Sequence, residues 1–344
     1  MKRYTCFFTA CVFSAMCVSG VAAAEKPAAP PKLQDTPLAG EFVGTFTAAD
    51  GKTMTGLAKV YYDPRHLKVG GYRAMLYAVK SGLIDGAIIG KKTQCPIKVR
   101  LKGLVRNGKA VLEDGKQWKA VVAGDTFSAK SKAGTFSLKR HERKSPTLLA
   151  VPPKDAIVLL KYEPNKAPSL AAWANKKWKA LADGSMMVNV EADNNHTVRQ
   201  FKNFRLHAEF MVVESSEGGG GNSGFYLLDR YEVQVLDTFG RNASPSGCAA
   251  IYRTLPPMAN ACLPAGRWQT YDITFHAPVM EGKQVKKHPR ITVIHNGVKV
   301  HDNAEIPHAT GMARSRGDAP KGPIVLQDHD NPVRYRNIWL VELD

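Results

Sequence analysis

Along much of this chain apolar and polar residues alternate one for one. Phe204, Leu206, Ala208 and Phe210 interleave with Arg205, His207 and Glu209, and Val233 and Val235 interleave with Glu232 and Gln234. A period of two sends one set to each side of an extended strand, leaving one face for a core and one for other work. Residues 268–275, 290–295 and 336–342 read the same way, the Asn296-Gly297 pair adding a hairpin turn. Residues 322–339 read as two strands joined by a polar turn. Ile324 and Leu326 oppose Val325 and Gln327, while Val333 and Tyr335 oppose Arg334 and Arg336. The outer faces there are expected to gather the Gln327 carboxamide, the His329 imidazole and both guanidinium groups. One short helix is expected, over 169–180. Many antiparallel strands with turns between them predict a sandwich whose polar face takes a ligand.

The first half alternates in shorter runs, at 41–47, 57–62, 72–79, 109–112, 118–122 and 135–139. Asp50-Gly51, Asn107-Gly108 and Asp114-Gly115 stand between runs and supply the positive φ that tight hairpins need. The expectation is a small all-β domain over 35–144, either a meander or an open barrel. Residues 145–154, with Pro146, Pro152 and Pro153, read as a semi-rigid linker to a second domain over 155–344. Charge separates the halves: 23 Lys and Arg face 10 Asp and Glu over 25–150, against 23 and 20 over 151–344. A basic first domain can hold an anionic polymer by counterion release. The other reading is a solvated face that keeps the chain soluble. Its lysines are not interleaved with aromatic residues, which argues against nucleic acid.

Lys2 and Arg3 precede an apolar run closed by Ala22-Ala-Ala24, so residues 1–24 read as a signal peptide. An exported, periplasmic or extracellular protein with no membrane span after cleavage is expected. Residues 25–34 are too poor in apolar surface to fold and read as a disordered leader. Cys95, Cys248 and Cys262 remain after cleavage. Cys248 and Cys262 bracket a proline-containing loop. A disulfide between them is expected, stabilising by about 3 kcal/mol, with two buried thiols as the other reading. No pair has the CxxC spacing of a structural zinc site.

Several formal motifs lack their context. Gly219-Gly-Gly-Asn-Ser-Gly224 fits GxGxxG but joins two strands, so no helix N-terminus waits for a pyrophosphate. Residues 215–224 read instead as a loop over the polar face. No nucleophile elbow, HExxH or P-loop is present. Asn195-His-Thr197 is a glycosylation sequon with meaning only in a source that glycosylates.

Five ordered motifs carry a family resemblance. Asn222-Ser-Gly-Phe-Tyr-Leu227, Tyr231-Glu-Val-Gln-Val-Leu-Asp237, Trp268-Gln-Thr-Tyr-Asp272, His295-Asn-Gly-Val298, and Gly322-Pro-Ile-Val-Leu-Gln-Asp-His329 with Arg336-Asn-Ile-Trp339 resemble the 3-keto-disaccharide hydrolase family. The resemblance runs from about residue 155 to the C-terminus. It implies a concanavalin-like (LamG-type) jelly roll that cleaves 3-keto-glycosides as a hydrolase or lyase. Asp330 departs from it, standing where the family usually has Gly after Gln-Asp-His.

That chemistry needs few groups. A ketone at C3 acidifies the C2 hydrogen, so a base can remove it and the oxygen on C1 can leave. An ordinary glycosidase instead needs two opposed carboxylates. Glu232, Glu209 and His329 are the candidate base and acid, and Arg334 and Arg336 the candidate holders of the enolate oxygen. Gln234, Gln327, His207 and Tyr226 are candidates for binding the sugar. A divalent cation on Glu209, Glu232, His207 and His329 is a further reading, although mixed His and Glu ligands do not single out a metal. Each residue also has a structural reading: a strand carboxylate is commonly salt-bridged, here to Arg334 or Arg336. The rival functions are a carbohydrate-binding module on the same fold and a surface scaffold using the basic domain.

Overall fold

Asn107 and Gly108 adopt φ of 50° and 73°, and Asn296 and Gly297 adopt 50° and 80°. Each pair closes a hairpin, one joining Ile97–Arg106 to Lys109–Glu113 and the other Arg290–His295 to Val298–Glu305. Left-handed backbone at both central positions matches the twist of the flanking strands. The computed structural model describes residues 38–63, 71–80, 83–84, 87–88, 95–213 and 221–344. The expected signal peptide, the leader and residues 215–220 of the expected loop lie outside the described residues. Asn222, Ser223 and Gly224, expected in that loop, belong to a strand.

The first half closes on itself. Gly40–Ala48 pairs on one side with Thr53–Tyr62 and on the other with Gly134–His141, so the expected meander or open barrel is a closed barrel. Closure leaves the eight barrel strands without an open edge. Ile97–Arg106 and Thr126–Ser131 add to the strands expected. The inner layer is aromatic: Phe136 lies 4.5 Å from Phe46 and 5.3 Å from Trp118, ring to ring. Lys98, Arg100 and Lys102 alternate outwards and are exposed.

The second half is a two-sheet jelly-roll sandwich. Its large sheet runs Lys179–Ala180, Met186–Met187, Arg334–Glu342, Phe204–Met211, Gln269–His276, Arg290–His295, Val298–Glu305, with Ile157–Leu160 also pairing with Arg334–Glu342. The small sheet runs Asn195–His196, Val325–Leu326, Asn222–Leu227, Tyr231–Leu236. Phe204, Leu206 and Phe210 are buried against Phe225, Val233 and Val235, as their alternation requires. Each such side chain contributes about 1.5–3 kcal/mol by leaving water.

Two expectations fail here. Residues 169–180 form no helix. The Ala174 amide donates to His196 O, that of Asn175 to Asn195 Oδ1, and Ala172 O accepts from the Val198 amide. Those backbone groups are claimed by residues 192–198, leaving no ladder for a helix. Among the described residues the helical element is the 3-10 turn Gly311–Arg316, and no helix is long and apolar enough to cross a membrane. The strands of 322–339 also part company. Val325–Leu326 joins the small sheet and Arg334–Glu342 the large one, so the turn between them crosses the sandwich.

Barrel and sandwich meet at a buried ionic knot. Glu41 lies 3.4 Å from Lys59 and 3.2 Å from Arg143, and Arg143 Nη2 donates to Ala261 O and Cys262 O at 2.9 and 3.0 Å. A cleft of about 780 Å³ opens beside it, bordered by Arg140, Arg143, Leu148, Arg267 and Trp268.

Candidate active site

Tyr226 and Glu232 stand directly opposite one another in the hairpin of Asn222–Leu227 and Tyr231–Leu236, with Gly224 opposite Gln234. Phe225 and Val233 point into the core, so Tyr226, Glu232 and Gln234 share the outer face of the small sheet. Gln327 joins them, its amide donating to Gly224 O at 3.0 Å. Loops cover this face, and Glu232 is 1% exposed. Tyr226 Oη donates to Glu232 Oε2 at 2.8 Å, and Gln327 Nε2 reaches Tyr226 Oη at 3.5 Å. Behind them the Glu232 amide donates to Thr310 Oγ1 at 2.7 Å.

Two glycines shape the hollow. A Cβ on Gly224 would lie 2.8 Å from Glu232 Oε1. One on Gly311, whose φ is 54°, would lie 2.8 Å from Glu232 Oε2 and 3.0 Å from Tyr226 Oη. Burial raises the Glu232 carboxyl to about 7, a rise that the Tyr226 hydrogen bond only partly offsets. The Tyr226 hydroxyl is pushed well up by burial and by the adjacent carboxylate, so it stays protonated. The carboxamide oxygens of Gln234 and Gln327 are buried without a partner. An unpaired buried acceptor is costly, and a donated hydrogen would satisfy each of these two.

The other expected site residues lie elsewhere. Glu209 and His207 occupy the outer face of the large sheet, beneath residues 145–150. Glu209 Oε2 accepts from Arg336 Nε at 2.7 Å, and Oε1 accepts from Asn337 Nδ2 at 2.9 Å and the Leu149 amide at 2.5 Å. His207 Nδ1 lies 2.6 Å from Asp272 Oδ1, whose second oxygen accepts from Thr147 Oγ1 at 2.6 Å. Burial alone would depress His207, but the carboxylates of Asp272 and Glu209 outweigh it and raise the imidazole. Burial alone would raise Glu209, but His207, Asn337 and Arg336 outweigh it and lower the carboxyl. These groups anchor the linker.

Arg336 stacks 4.0 Å from the Trp268 ring, and Arg334 bonds Asp183 and Ser185 on the same side. His329 sits exposed in the crossing turn. The expected single hollow is therefore split: Glu232, Tyr226, Gln234 and Gln327 belong to the small sheet and its continuation, Glu209, His207, Arg334 and Arg336 to the large sheet, and His329 is exposed in the turn between them. The reason is the crossing turn, which carries the two arginines to the second sheet. A cation shared by Glu209, Glu232, His207 and His329 is excluded by the same separation. Asp330, at φ 56°, takes the left-handed conformation that Gly would supply, and its amide donates to Asp328 Oδ1 at 3.0 Å.

The motifs of the small sheet invite comparison with known proteins. Residues 165–341 match the 3-keto-alpha-glucoside-1,2-lyase-like domain. The chain belongs to that family. A candidate glycosyl hydrolase of Parabacteroides distasonis is similar in structure, with 33% identity, a TM-score of 0.50, and coverage of 56% of this chain and 85% of its own. A second from the same organism aligns at 17% identity and TM-score 0.40, over 56% of this chain and 95% of its own. No curated protein matches. Membership makes this a glycan-processing enzyme, and the lyase-like match covers the whole Tyr226–Glu232 hairpin while leaving the barrel outside.

Within this lyase-like fold several groups around Glu232 escape sequence reasoning. Thr310 and Gly311 come from a segment without periodicity, and Tyr252 enters from a loop whose amide donates to Glu232 O at 3.1 Å. Gly224 lay inside a family motif, but its contact with a carboxylate is not a sequence signal. Cys248 and Cys262 are buried free thiols, so the expected bridge is not formed. The Cys248 sulfur lies 3.2 Å from Tyr271 Oη, and that of Cys262 reaches Leu236 O at 3.5 Å.

Proposed function

We propose that the sandwich cleaves 3-keto-glycosides, with Glu232 as the base that removes the C2 hydrogen. A buried carboxyl titrating near 7, hydrogen-bonded to a tyrosine and flanked by two unpartnered carboxamide oxygens, carries this reading. A base poised near the working pH combines a useful ionised fraction with useful basicity. The C2–H electron pair passes into the enolate of the C3 ketone, then into the C1–C2 double bond as the C1–O bond breaks. The departing oxygen needs a proton, and Tyr226, kept protonated beside Glu232, gives it in this reading. The amide hydrogens of Gln234 and Gln327 are suited to the enolate oxygen, the role expected of the arginines. Addition of water to the double bond would complete a net hydrolysis.

Mass spectrometry of products from a 3-keto-disaccharide tests this directly. Wild type should release the aglycone and exchange the C2 hydrogen for deuterium from solvent. Glu232→Gln should do neither. A sugar bound but intact in the wild type would overturn the enzymatic reading in favour of a carbohydrate-binding module. We also propose export, on the pattern of residues 1–24. The outward Lys98, Arg100 and Lys102 of the barrel support retention on an anionic glycan, to be read as salt-sensitive binding.

A further inference from the structure

Away from the Glu232 site, three ligand residues meet inside the sandwich next to the ionic knot. Cys248 and Cys262 come from the two ends of one loop, and His295 ends the strand Arg290–His295. Their exposures are 2%, 0% and 0%. The two sulfurs and an imidazole nitrogen lie within 4.8 Å of one another. A trigonal ion bonded to sulfur at about 2.3 Å holds two thiolates about 4 Å apart, so this spacing already suits one.

The hydrogen bonds decide the tautomer of His295. Gln269 Oε1 accepts from the Leu263 amide at 2.9 Å and from Asn296 Nδ2 at 3.1 Å, and it lies 3.0 Å from His295 Nε2. A carboxamide oxygen only accepts, so Nε2 carries the hydrogen. That leaves Nδ1 as a bare lone pair, buried and without a partner. Metal-bound histidines are oriented in this way, the second nitrogen donating to a fixed oxygen.

Ligand type and number select the ion. Thiolates favour soft ions such as Cu(I), and three ligands suffice for it.

We propose that Cys248, Cys262 and His295 bind one Cu(I) ion, His295 ligating through Nδ1. Loading releases the two thiol protons to solvent and moves no electron. The ion clips the loop 248–262 to the sheet. Tyr271 Oη, beside the Cys248 sulfur, donates to Gln234 O at 2.6 Å, so the clip reaches the strand that bears Glu232.

The test is an anaerobic titration of the reduced full chain with Cu(I) against a chromophoric chelator, followed by sulfur-to-copper absorption in the ultraviolet. One equivalent should bind and should protect Cys248 and Cys262, but not Cys95, from alkylation mapped by mass spectrometry. Cys248→Ser with Cys262→Ser should lose the ion, Cys95→Ser should keep it, and Gln269→Ala should bind it roughly ten- to a hundredfold more weakly. The protection measurement needs no variant, so a misfolded double variant leaves the test intact. Failure of wild type to bind or to show protection would overturn the site. So would a Cys248–Cys262 bridge that reductant does not open in the folded chain, or a site that takes Zn(II) and refuses Cu(I).

Discussion

Tyr226 donates its hydroxyl hydrogen to Glu232 across a single antiparallel pair, 2.8 Å from oxygen to oxygen. Because the two residues are register partners, their geometry is set by the ladder and not by a mobile loop. Both groups thus sit on hydrogen-bonded strands of the small sheet.

Removing the charge without the shape should stop the reaction. Glu232→Gln is expected to lower turnover of a 3-keto-disaccharide by at least about a hundredfold, the usual worth of a positioned base. Wild-type kcat/KM should rise with pH through an apparent value of about 7. A profile flat across that range would assign the base elsewhere.

The same substitution should stabilise the chain in alkali. Glu232 binds its proton more tightly folded, at about 7 against an ordinary 4.5, so its contribution is complete below 4.5 and lost as pH rises through 7. Glu232→Gln lifts the cost of a buried carboxylate, on the order of 3 kcal/mol well above pH 7, and changes little near pH 4. Urea unfolding at both pH values measures the difference. Equal effects at the two would contradict the raised value.

Gly224→Ala tests the hollow with little backbone strain, since Gly224 lacks the left-handed φ of Gly311. Its methyl would displace the Glu232 carboxylate. Turnover should fall much more than thermal stability. A variant as active as its parent would show that the carboxylate position is not needed.

The linker should be held most firmly in a mild acid window. Raised His207 contributes fully below 6.5 and loses its contribution as pH climbs through its folded value. Lowered Glu209 contributes fully above 4.5 and loses its contribution as pH falls through its folded value. Proteolysis across residues 145–150, normalised to an unstructured peptide at each pH, should be slowest between 4.5 and 6.5. A pH-independent rate would discount the network as the anchor.

Arg334→Ala should leave turnover within about threefold of wild type, because its guanidinium bonds Asp183 and Ser185 on the far side of the large sheet. Gln327→Ala should weaken sugar binding clearly. The reverse pattern would return the arginines to the active site.

Much of this was legible in the chain. Alternation correctly put Phe204 and Phe210 inside with Val233 and Val235, and it grouped Glu232 with Gln234. The Asn-Gly pairs correctly marked hairpins. What alternation could not tell was which sheet each outer face belonged to. Glu209 and Glu232 have the same strand pattern, yet one is held by Arg336 beneath the linker and the other by Tyr226 beneath a loop. Residues 169–180 misled for a related reason: the segment 192–198 holds their backbone groups, and a local pattern does not show it.

From order alone, the chain determines that both halves are built mainly of strands, where their hairpins turn and which side chains fill their cores. Those are consequences of local sterics and of apolar period, and they need no knowledge of neighbours. Only the folded arrangement decided that the turn after Gln327 crosses the sandwich, that Glu232 is dry enough to titrate near 7, and that Cys248, Cys262 and His295 meet. Desolvation and convergence depend on residues far away in sequence, and no local pattern encodes them.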